Sequence, residues 1–184
     1  MRIVLTGPMC AGKTRVGRAL ADRLGLPFAD LDRMAEERIG GPIVPFFTRQ
    51  GEQAFRELES ELLHAWLADG APGVLAAGGG TLADPVNMTA ALNAATVVLL
   101  QVGEDELVRR VMRAGRDRPL YLGLDEAGVR QRTRELLEAR GPIMRTPRSP
   151  WTPRRPWRRS RAGSSSPWAL VRRAEPCRGG PAPR

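Results

Sequence analysis

The chain has 184 residues, of which 42% are hydrophobic and 27% are charged, and this composition suits one globular domain with a sizeable core. Its formal net charge is +9, and no apolar run approaches the roughly 20 residues that span a bilayer. A single histidine, His64, excludes a His-based catalytic machine and a His-rich metal site, and two cysteines give no disulfide framework. The apolar N-terminal stretch is too short for a signal peptide, so we expect a cytoplasmic protein with no membrane partner.

The excess of positive over negative charge is confined to the end of the chain. Residues 145–184 contain eleven arginines and one acidic residue, Glu175, whereas residues 1–144 contain 18 basic and 19 acidic side chains. The same last forty residues hold eight of the sixteen prolines and show no helical or strand period. We therefore divide the chain into a domain at 1–144, from which no nucleic-acid binding is expected, and a tail at 145–184 that we expect to be disordered.

The first predicted elements are a strand, a glycine-rich loop and a helix. Residues 2–6 read as a short buried strand, and residues 14–24 have the apolar spacing of a helix. Between them residues 7–14 read GPMCAGKT, which matches the phosphate-binding pattern G-x-x-x-x-G-K-T. Lys13 is the only lysine, since the other 28 of the 29 lysine and arginine residues are arginines. The motif predicts a nucleotide phosphate site, in which this amine reaches the β and γ phosphate oxygens.

Two carboxylates follow the next predicted strand. Residues 26–29 read as that strand, and they lead into Asp30-Leu31-Asp32 and a helix from about residue 33. In an extended chain both carboxylates face the same side. One can then hold Mg²⁺ through its waters while the other accepts a proton or hydrogen bonds from a substrate hydroxyl. A helix N-cap pair, with Asp32 in particular as the cap, remains the alternative.

The rest of the domain alternates helices with short apolar strands, which predicts an α/β fold with three layers, a parallel sheet covered by helices on both sides. Ligands in such sheets bind beyond the carboxyl ends of the strands, where the phosphate loop, the two aspartates and a glycine triplet all fall. We predict helices at 43–49, 52–67, 84–94, 104–112 and 125–140, strands at 74–77 and 96–100, the glycine triplet at 78–80, and a polar loop at 113–122.

Arginines are the other candidate ligands. Arg56 lies on a predicted helix next to an aromatic residue, where a solvated surface charge is the alternative to a ligand. Arg113, Arg116 and Arg118 lie in the predicted loop, and Arg140 ends the helix that follows it. Arginines brought over a phosphate site can neutralise the charge that develops during phosphoryl transfer.

In order and spacing, these motifs resemble shikimate kinase over about residues 1–143. The resemblance implies a P-loop fold like that of the nucleoside monophosphate kinases and ATP-dependent phosphorylation of the shikimate 3-hydroxyl. It also implies a role in the pathway to chorismate and the aromatic amino acids. The motifs are GPMCAGKT at 7–14, Asp30-Leu31-Asp32, Gly51-Glu52 with Phe55, Arg56 and Glu59, Gly78-Gly79-Gly80, Arg118-Pro119-Leu120, and Arg140 with Pro142.

On the phosphate side, the resemblance implies that Lys13 and Arg118 act on the transferring phosphoryl group. Thr14 and Asp30 would hold Mg²⁺, while ATP is a co-substrate. The residues implied to bind ATP and its phosphates are Gly7, Ala11, Gly12, Lys13, Thr14 and Arg118.

On the acceptor side, the resemblance implies that Asp32 holds the acceptor hydroxyls and serves as the catalytic base. Arg56 and Arg140 would grip the shikimate carboxylate, because two guanidinium groups suit a planar carboxylate. The remaining residues implied to form the shikimate pocket are Gly78, Gly79 and Gly80, with Phe47 and Phe55 as its walls.

The tail departs from the family. Met144 stands where an aromatic Tyr is typical, and beyond it the sequence offers no match to the final strand and helix, so we expect both to be missing. An Arg/Pro/Trp-rich mixture is typical of a shifted GC-rich reading frame, and we interpret the tail as a frameshift product. The alternatives are a basic arm that binds RNA or anionic membrane, and an inert linker.

Two other functions remain open at this point. One is a related small-molecule kinase of the gluconate type, and the other is an inactive nucleotide-binding protein whose tail binds RNA. For a shikimate kinase, the expected partners are ATP and shikimate alone, and the expected state is a monomer.

Overall fold

The computed structural model describes residues 1–114, 119–144 and 171–174, and for residues 119, 140–144 and 171–174 it describes the backbone alone. A five-stranded sheet of order β2-β3-β1-β4-β5 forms the centre, and its first four strands pair in parallel. The strands are β1 (Arg2–Thr6), β2 (Phe28–Asp30), β3 (Gly73–Ala76), β4 (Thr96–Leu100) and β5 (Val171–Ala174). The helices are α1 (Lys13–Leu24), α2 (Leu31–Ile39), α3 (Ile43–Asp69), α4 (Pro85–Ala94), α5 (Glu104–Arg113) and α6 (Glu126–Met144).

The predicted parallel sheet is confirmed, and its inner strands are buried on both faces. β3 is buried at every position and β1 at all but its first residue. One core cluster packs α2, α3 and α4 against one face, and a second packs α1 against the other. Parallel strands need helical crossovers, and these crossovers supply the two outer layers. No helix in the described part of the chain is both long and apolar enough to cross a membrane.

The phosphate loop occupies a tight space between two strands. Gly7 follows β1 with φ 146°, and a Cβ at this position would lie 2.5 Å from the carbonyl oxygen of Leu100 at the end of β4. Gly12, with φ 93°, caps the N-terminus of α1. Gly17 then lets α1 approach the sheet, because a Cβ there would lie 2.5 Å from the Phe28 ring. Glycine is therefore required by sterics on both sides of the loop.

The long helix α3 is bent at one residue. Gly51 has φ 85° and ψ 173°, which interrupts the helical geometry. The prediction of two helices separated at Gly51 is thereby confirmed. The bend turns the second segment so that Phe55, Glu59 and Leu63 are buried against the sheet.

A third apolar cluster joins α5 and α6. Tyr121 and Val129 pack with two valines of α5, and the Tyr121 hydroxyl lies 3.2 Å from Thr133 Oγ1. Surface ion pairs link the same helices. Arg130 bonds Asp105 at 2.6 Å, and this hydrogen bond lowers the pKa of the Asp105 carboxyl. Arg134 pairs with Glu104 at 3.0 Å.

The end of the sheet differs from the sequence-based expectation. The final strand was expected to be missing and the tail to lack regular structure, but Val171–Ala174 forms β5, antiparallel to β4. A β4 edge without this strand would present unpaired N–H and C=O groups, which pair readily with any extended segment. The first residue of β5, Val171, lies in a short apolar stretch of the tail sequence, WALV at 168–171. The other tail residues lie outside the described part of the chain.

The contact between Gly7 and β4 predicts a large stability effect. In Gly7→Ala, the new Cβ meets a main-chain oxygen that cannot move aside, at a φ that disfavours side chains. We expect the free energy of unfolding in urea to fall by roughly 2 kcal/mol or more. In the control Gly41→Ala the Cβ meets nothing within 4 Å, and a change within about 0.5 kcal/mol is expected. Equal stability of the two variants would contradict the tight approach.

Candidate active site

A cavity of about 1050 Å³ opens at the carboxyl ends of the parallel strands. The strand-end rule for α/β sheets predicts a ligand site in this region, and the cavity is lined by residues from it. The lining combines cations, carboxylates and apolar walls from all three layers of the fold. Its sequence-predicted members are Gly12, Lys13, Thr14, Asp30, Asp32, Phe47, Phe55, Arg56, Gly79 and Gly80.

The phosphate loop forms one end of the cavity. Lys13 Nζ donates hydrogen bonds to the carbonyl oxygens of Gly7 and Pro8, each at 3.0 Å. Cys10 is the one non-glycine residue with positive φ, 61°, among the described residues. Lys13 is the first residue of α1 and follows a loop in which several residues have positive φ. An amine at a helix N-terminus in such a loop is suited to bind an anion.

The two aspartates lie beside this loop, with a local geometry that differs from the prediction. Helix α2 starts at Leu31 and not near residue 33, so Asp32 is helical and the extended arrangement of the pair is wrong. Asp30 is the N-cap: its Oδ1 accepts a hydrogen bond from the Asp32 N–H at 3.1 Å. Its Oδ2 accepts one from Thr14 Oγ1 at 2.6 Å. Both carboxylates still line the cavity, because the N-cap turn places them there.

The same cavity is also lined by a cation, Arg56, that a buried acid holds. Glu59, only 1% exposed, accepts a hydrogen bond from Arg56 at 2.5 Å and, on its other oxygen, one from Thr81 at 2.7 Å. Glu52, which is exposed, accepts a second bond from Arg56 at 2.9 Å. Burial acts to lower the pKa of the Arg56 guanidinium, but the charges of Glu59 and Glu52 and their hydrogen bonds to the guanidinium together outweigh it and raise that pKa. Arg56 is therefore a permanent cation with a fixed direction.

The glycine triplet fits around this pair. A Cβ at Gly78 would lie 1.8 Å from Glu59 Oε1, and a Cβ at Gly80 would lie 2.8 Å from an Arg56 nitrogen. Gly79 faces the phosphate loop, 3.4 Å from the Met9 nitrogen by the same measure. Gly79 and Gly80 line the cavity, whereas Gly78 lies behind them against Glu59. The triplet thus accommodates the buried ion pair as well as the space in front of it.

Sequence reasoning missed Arg110. Its guanidinium donates to the carbonyl oxygens of Cys10 and Ala11, at 3.3 and 3.2 Å, and to Glu106 at 2.8 Å. It lines the cavity from α5, about one hundred residues away in sequence from the loop it contacts. Only its i,i+4 spacing from Glu106 was visible in the sequence, and that spacing is typical of any solvated helix surface.

Two predicted ligands cannot be placed in full. Arg118 lies outside the described residues. The backbone of Arg140 belongs to α6, in a helix longer than predicted, but its side chain is not described. Their roles remain predictions. His64, the single histidine, is exposed on α3 and lies 2.9 Å from Asn87 Oδ1.

Comparison with known proteins decides the family. The sequence profile of shikimate kinase matches residues 9–149. The chain belongs to the shikimate kinase family. The shikimate kinase of Paracidovorax citrulli is 44% identical over 146 residues, which span 79% of this chain and 78% of that protein. A shikimate kinase of Thermus thermophilus is 42% identical over 143 residues, or 78% and 76% of the two chains.

Solved structures agree with the sequence relatives. A shikimate kinase from Acinetobacter baumannii in complex with shikimate is 36% identical, with a TM-score of 0.71 and coverage of 78% of both chains. The shikimate kinase structure from Bacteroides thetaiotaomicron is 39% identical, with a TM-score of 0.72 and coverage of 77% of this chain and 80% of that one. The expected P-loop kinase fold is thereby confirmed.

Replacing each of the two acids that hold Arg56 should lower the free energy of unfolding by a different amount. Glu59→Gln keeps the shape but removes a buried charge that is bonded on both oxygens, so we expect the free energy of unfolding to fall by about 1–3 kcal/mol. Glu52→Gln makes the same change to an exposed partner of the same arginine, and we expect at most about 0.5 kcal/mol. Urea denaturation of both shikimate kinase variants tests this order, and equal losses would contradict it.

Proposed function

We propose that the chain transfers the γ-phosphoryl group of ATP to the 3-hydroxyl of shikimate, giving shikimate 3-phosphate and ADP. One observation carries the proposal: the lysine of the phosphate loop and the arginine cation fixed by Glu59 line the same cavity. Family membership supports the same reaction. The product feeds the pathway to chorismate and the aromatic amino acids. We propose that the enzyme acts in the cytoplasm as a monomer.

The nucleotide phosphates would bind at the loop. Lys13, now bonded to two carbonyls of the loop, would turn toward the β and γ phosphate oxygens, while the loop and the N-terminus of α1 stabilise their negative charge. Arg110 holds the Cys10 and Ala11 carbonyls and so keeps the loop in shape. Arg118 would approach the transferring phosphoryl group from the segment between α5 and α6.

Shikimate would lie between the loop and Arg56. The guanidinium of Arg56, fixed by Glu59, would bind the shikimate carboxylate, and Arg140 would complete the grip. The backbone of Gly79 and Gly80 leaves room for the ring, while Phe47 and Phe55, whose ring centroids are 5.9 Å apart, form an apolar wall. This arrangement would direct the ring hydroxyls toward Asp32 and the phosphates.

The transfer itself needs positioning and charge neutralisation more than covalent chemistry. The 3-hydroxyl oxygen would attack the γ phosphorus as Asp32 accepts its proton. The bond from that phosphorus to the bridging oxygen would break, leaving both electrons on ADP. Cys10 takes no covalent part in this scheme.

The residues present fit a Mg²⁺ ion. Thr14 Oγ1 and Asp30 Oδ2, 2.6 Å apart, form an oxygen pair beside the phosphate loop. Within the described residues no three acidic, histidine or cysteine side chains gather into an all-protein metal cage. Magnesium in kinases is held by one or two protein oxygens together with substrate phosphates, and it neutralises phosphate charge when bound. Thr14 and Asp30 would hold it here.

We propose that residues 145–184 arise from a frameshift, since the match to the family profile ends at residue 149 and the tail composition differs sharply from that of residues 1–144. Resequencing the gene tests this proposal. If restoring one or two nucleotides opens no family-like C-terminus, the frameshift is excluded.

Replacing the lysine of the phosphate loop should strongly slow phosphoryl transfer. In Lys13→Met we expect kcat, measured as shikimate-dependent ADP release, to fall by about 10²-fold or more, because the charge on the phosphates loses its partner. Arg23→Met, which removes an exposed cation from the last turn of the same helix, should leave kcat within about twofold. Retained turnover in Lys13→Met would contradict the proposed site.

The identity of the acceptor can be tested through its carboxylate, which Arg56 would bind. In Arg56→Lys we expect the KM for shikimate to rise about 10-fold or more while the KM for ATP stays constant, because a point charge replaces a fixed fork. Wild-type enzyme should discriminate by a similar factor against the methyl ester of shikimate, and Arg56→Lys should lose most of that discrimination. Arg38→Lys, at a surface ion pair with Glu61, is the matched control. Equal use of gluconate and shikimate by the wild-type chain would favour a different kinase.

A further inference from the structure

A buried amide lies just behind the acceptor side of the cavity. Asn87, 3% exposed in the first turn of α4, makes three side-chain hydrogen bonds. Its Nδ2 donates to the carbonyl oxygen of Thr81 at 3.0 Å. Its Oδ1 lies 2.7 Å from Ser60 Oγ and 2.9 Å from His64 Nε2, two residues one turn apart on α3. Asn87 therefore ties α3 and α4 to the short 3-10 helix Thr81–Ala83.

The partners fix the orientation of this amide. A main-chain carbonyl can only accept, so the NH₂ group of Asn87 must face Thr81. Its oxygen then faces α3, and Ser60 and His64 must both donate to it, which requires a proton on His64 Nε2. The neutral tautomer with that proton and the imidazolium ion both satisfy the contact. A flipped amide would set two oxygens against each other, at Thr81 and Asn87.

Thr81, the next residue along this series of hydrogen bonds, is bonded through both its carbonyl oxygen and its hydroxyl. The carbonyl oxygen of Thr81 accepts from Asn87, and its hydroxyl donates to Glu59 Oε1 at 2.7 Å. Thr81 is 2% exposed, so water cannot easily replace either partner. Glu59 uses its other oxygen to hold Arg56 at 2.5 Å. The bonds thus run without a gap from Asn87 through Thr81 and Glu59 to the cation in the cavity.

We propose that Asn87 is a positioning residue for the acceptor acid, acting on the Arg56 guanidinium through Thr81 and Glu59. It does not line the cavity itself. The inference rests on the proposed function in assigning Arg56 to the shikimate carboxylate. That carboxylate is remote from the reacting hydroxyl and keeps its charge throughout the transfer, so Arg56 binds it equally before and during reaction. Loss of positioning should therefore appear in the KM for shikimate and leave kcat unchanged.

The near-isosteric variant Asn87→Asp is the direct test, because it turns the donor facing Thr81 into an acceptor and adds a charge at this buried position. We expect the KM for shikimate to rise about tenfold, with kcat and the KM for ATP within about twofold of wild type. Thr89→Ala removes an exposed hydroxyl that bonds the Pro85 carbonyl in the same helix, and it should leave all three constants unchanged. An unaltered shikimate KM in Asn87→Asp would overturn the proposal.

A second variant cuts the same path if Asn87→Asp fails to fold. Thr81→Val keeps the shape and removes the hydroxyl that reaches Glu59, whereas Thr81→Ser keeps that hydroxyl. We expect the KM for shikimate to rise in Thr81→Val and to stay near the wild-type value in Thr81→Ser. A rise in both Michaelis constants together with a fall in kcat would indicate general damage to the fold and would overturn the positioning role.

A measurement without turnover separates this inference from the proposed function. The side-chain Nη1–H signal of Arg56, assigned by its loss in Arg56→Lys, reports how firmly Glu59 holds the guanidinium, because Nη1 is the nitrogen that donates to Glu59. Its exchange with solvent should be about tenfold faster in Asn87→Asp and unchanged in Thr89→Ala. If the wild-type chain fails to phosphorylate shikimate, the proposed function is wrong, and unchanged exchange in Asn87→Asp then still overturns the positioning role on its own.

Discussion

The buried carboxylate of Glu59 is the constraint on which the acceptor side of the cavity depends. A charge in the core is costly unless each oxygen is bonded, and here one oxygen takes Arg56 and the other takes Thr81. Those requirements explain the surrounding sequence. Arg56 lies one turn earlier on the same helix, and Gly78 leaves the space that Glu59 Oε1 fills. The arginine is thus oriented by the fold before any ligand binds, which spares the substrate the cost of ordering it.

On the nucleotide side of the cavity, contacts with main-chain carbonyl groups fix the phosphate loop, whereas a buried carboxylate fixes the acceptor side. Gly7 presses the loop onto the Leu100 carbonyl at the end of β4, and Arg110 holds two further carbonyls of the loop from α5. Strands β1 and β3 are parallel neighbours. The phosphate loop follows the carboxyl end of β1 and the glycine triplet follows that of β3, so the two segments lie at the same end of the sheet. That adjacency brings the phosphate loop and the glycine triplet together beside one cavity, which Arg56 of α3 also lines.

The sequence predicted features that depend on local pattern and missed those that depend on distant contacts. Strand β4, the bend at Gly51 and the phosphate loop followed from apolar runs and glycine positions. The start of α2 was placed two residues late, because the N-cap is Asp30 and either aspartate could have supplied it. Glu59 was visible only as part of a family motif, and Arg110 only as a helix-surface charge. Their partners come from other elements, and no periodicity in the sequence reports those contacts.

Strand order also separates the tail strand β5 from the acceptor site. The sheet runs β2-β3-β1-β4-β5, so Asp30 and the glycine triplet belong to the two strands farthest from β5. The tail strand pairs with β4, whose last residue is the one that Gly7 contacts. A structural change in β5 can therefore affect the phosphate loop through β4 alone. The same change can affect the region of Arg56 only through the other strands of the sheet. An altered C-terminus should accordingly weaken the binding of ATP before it weakens the binding of the acceptor acid.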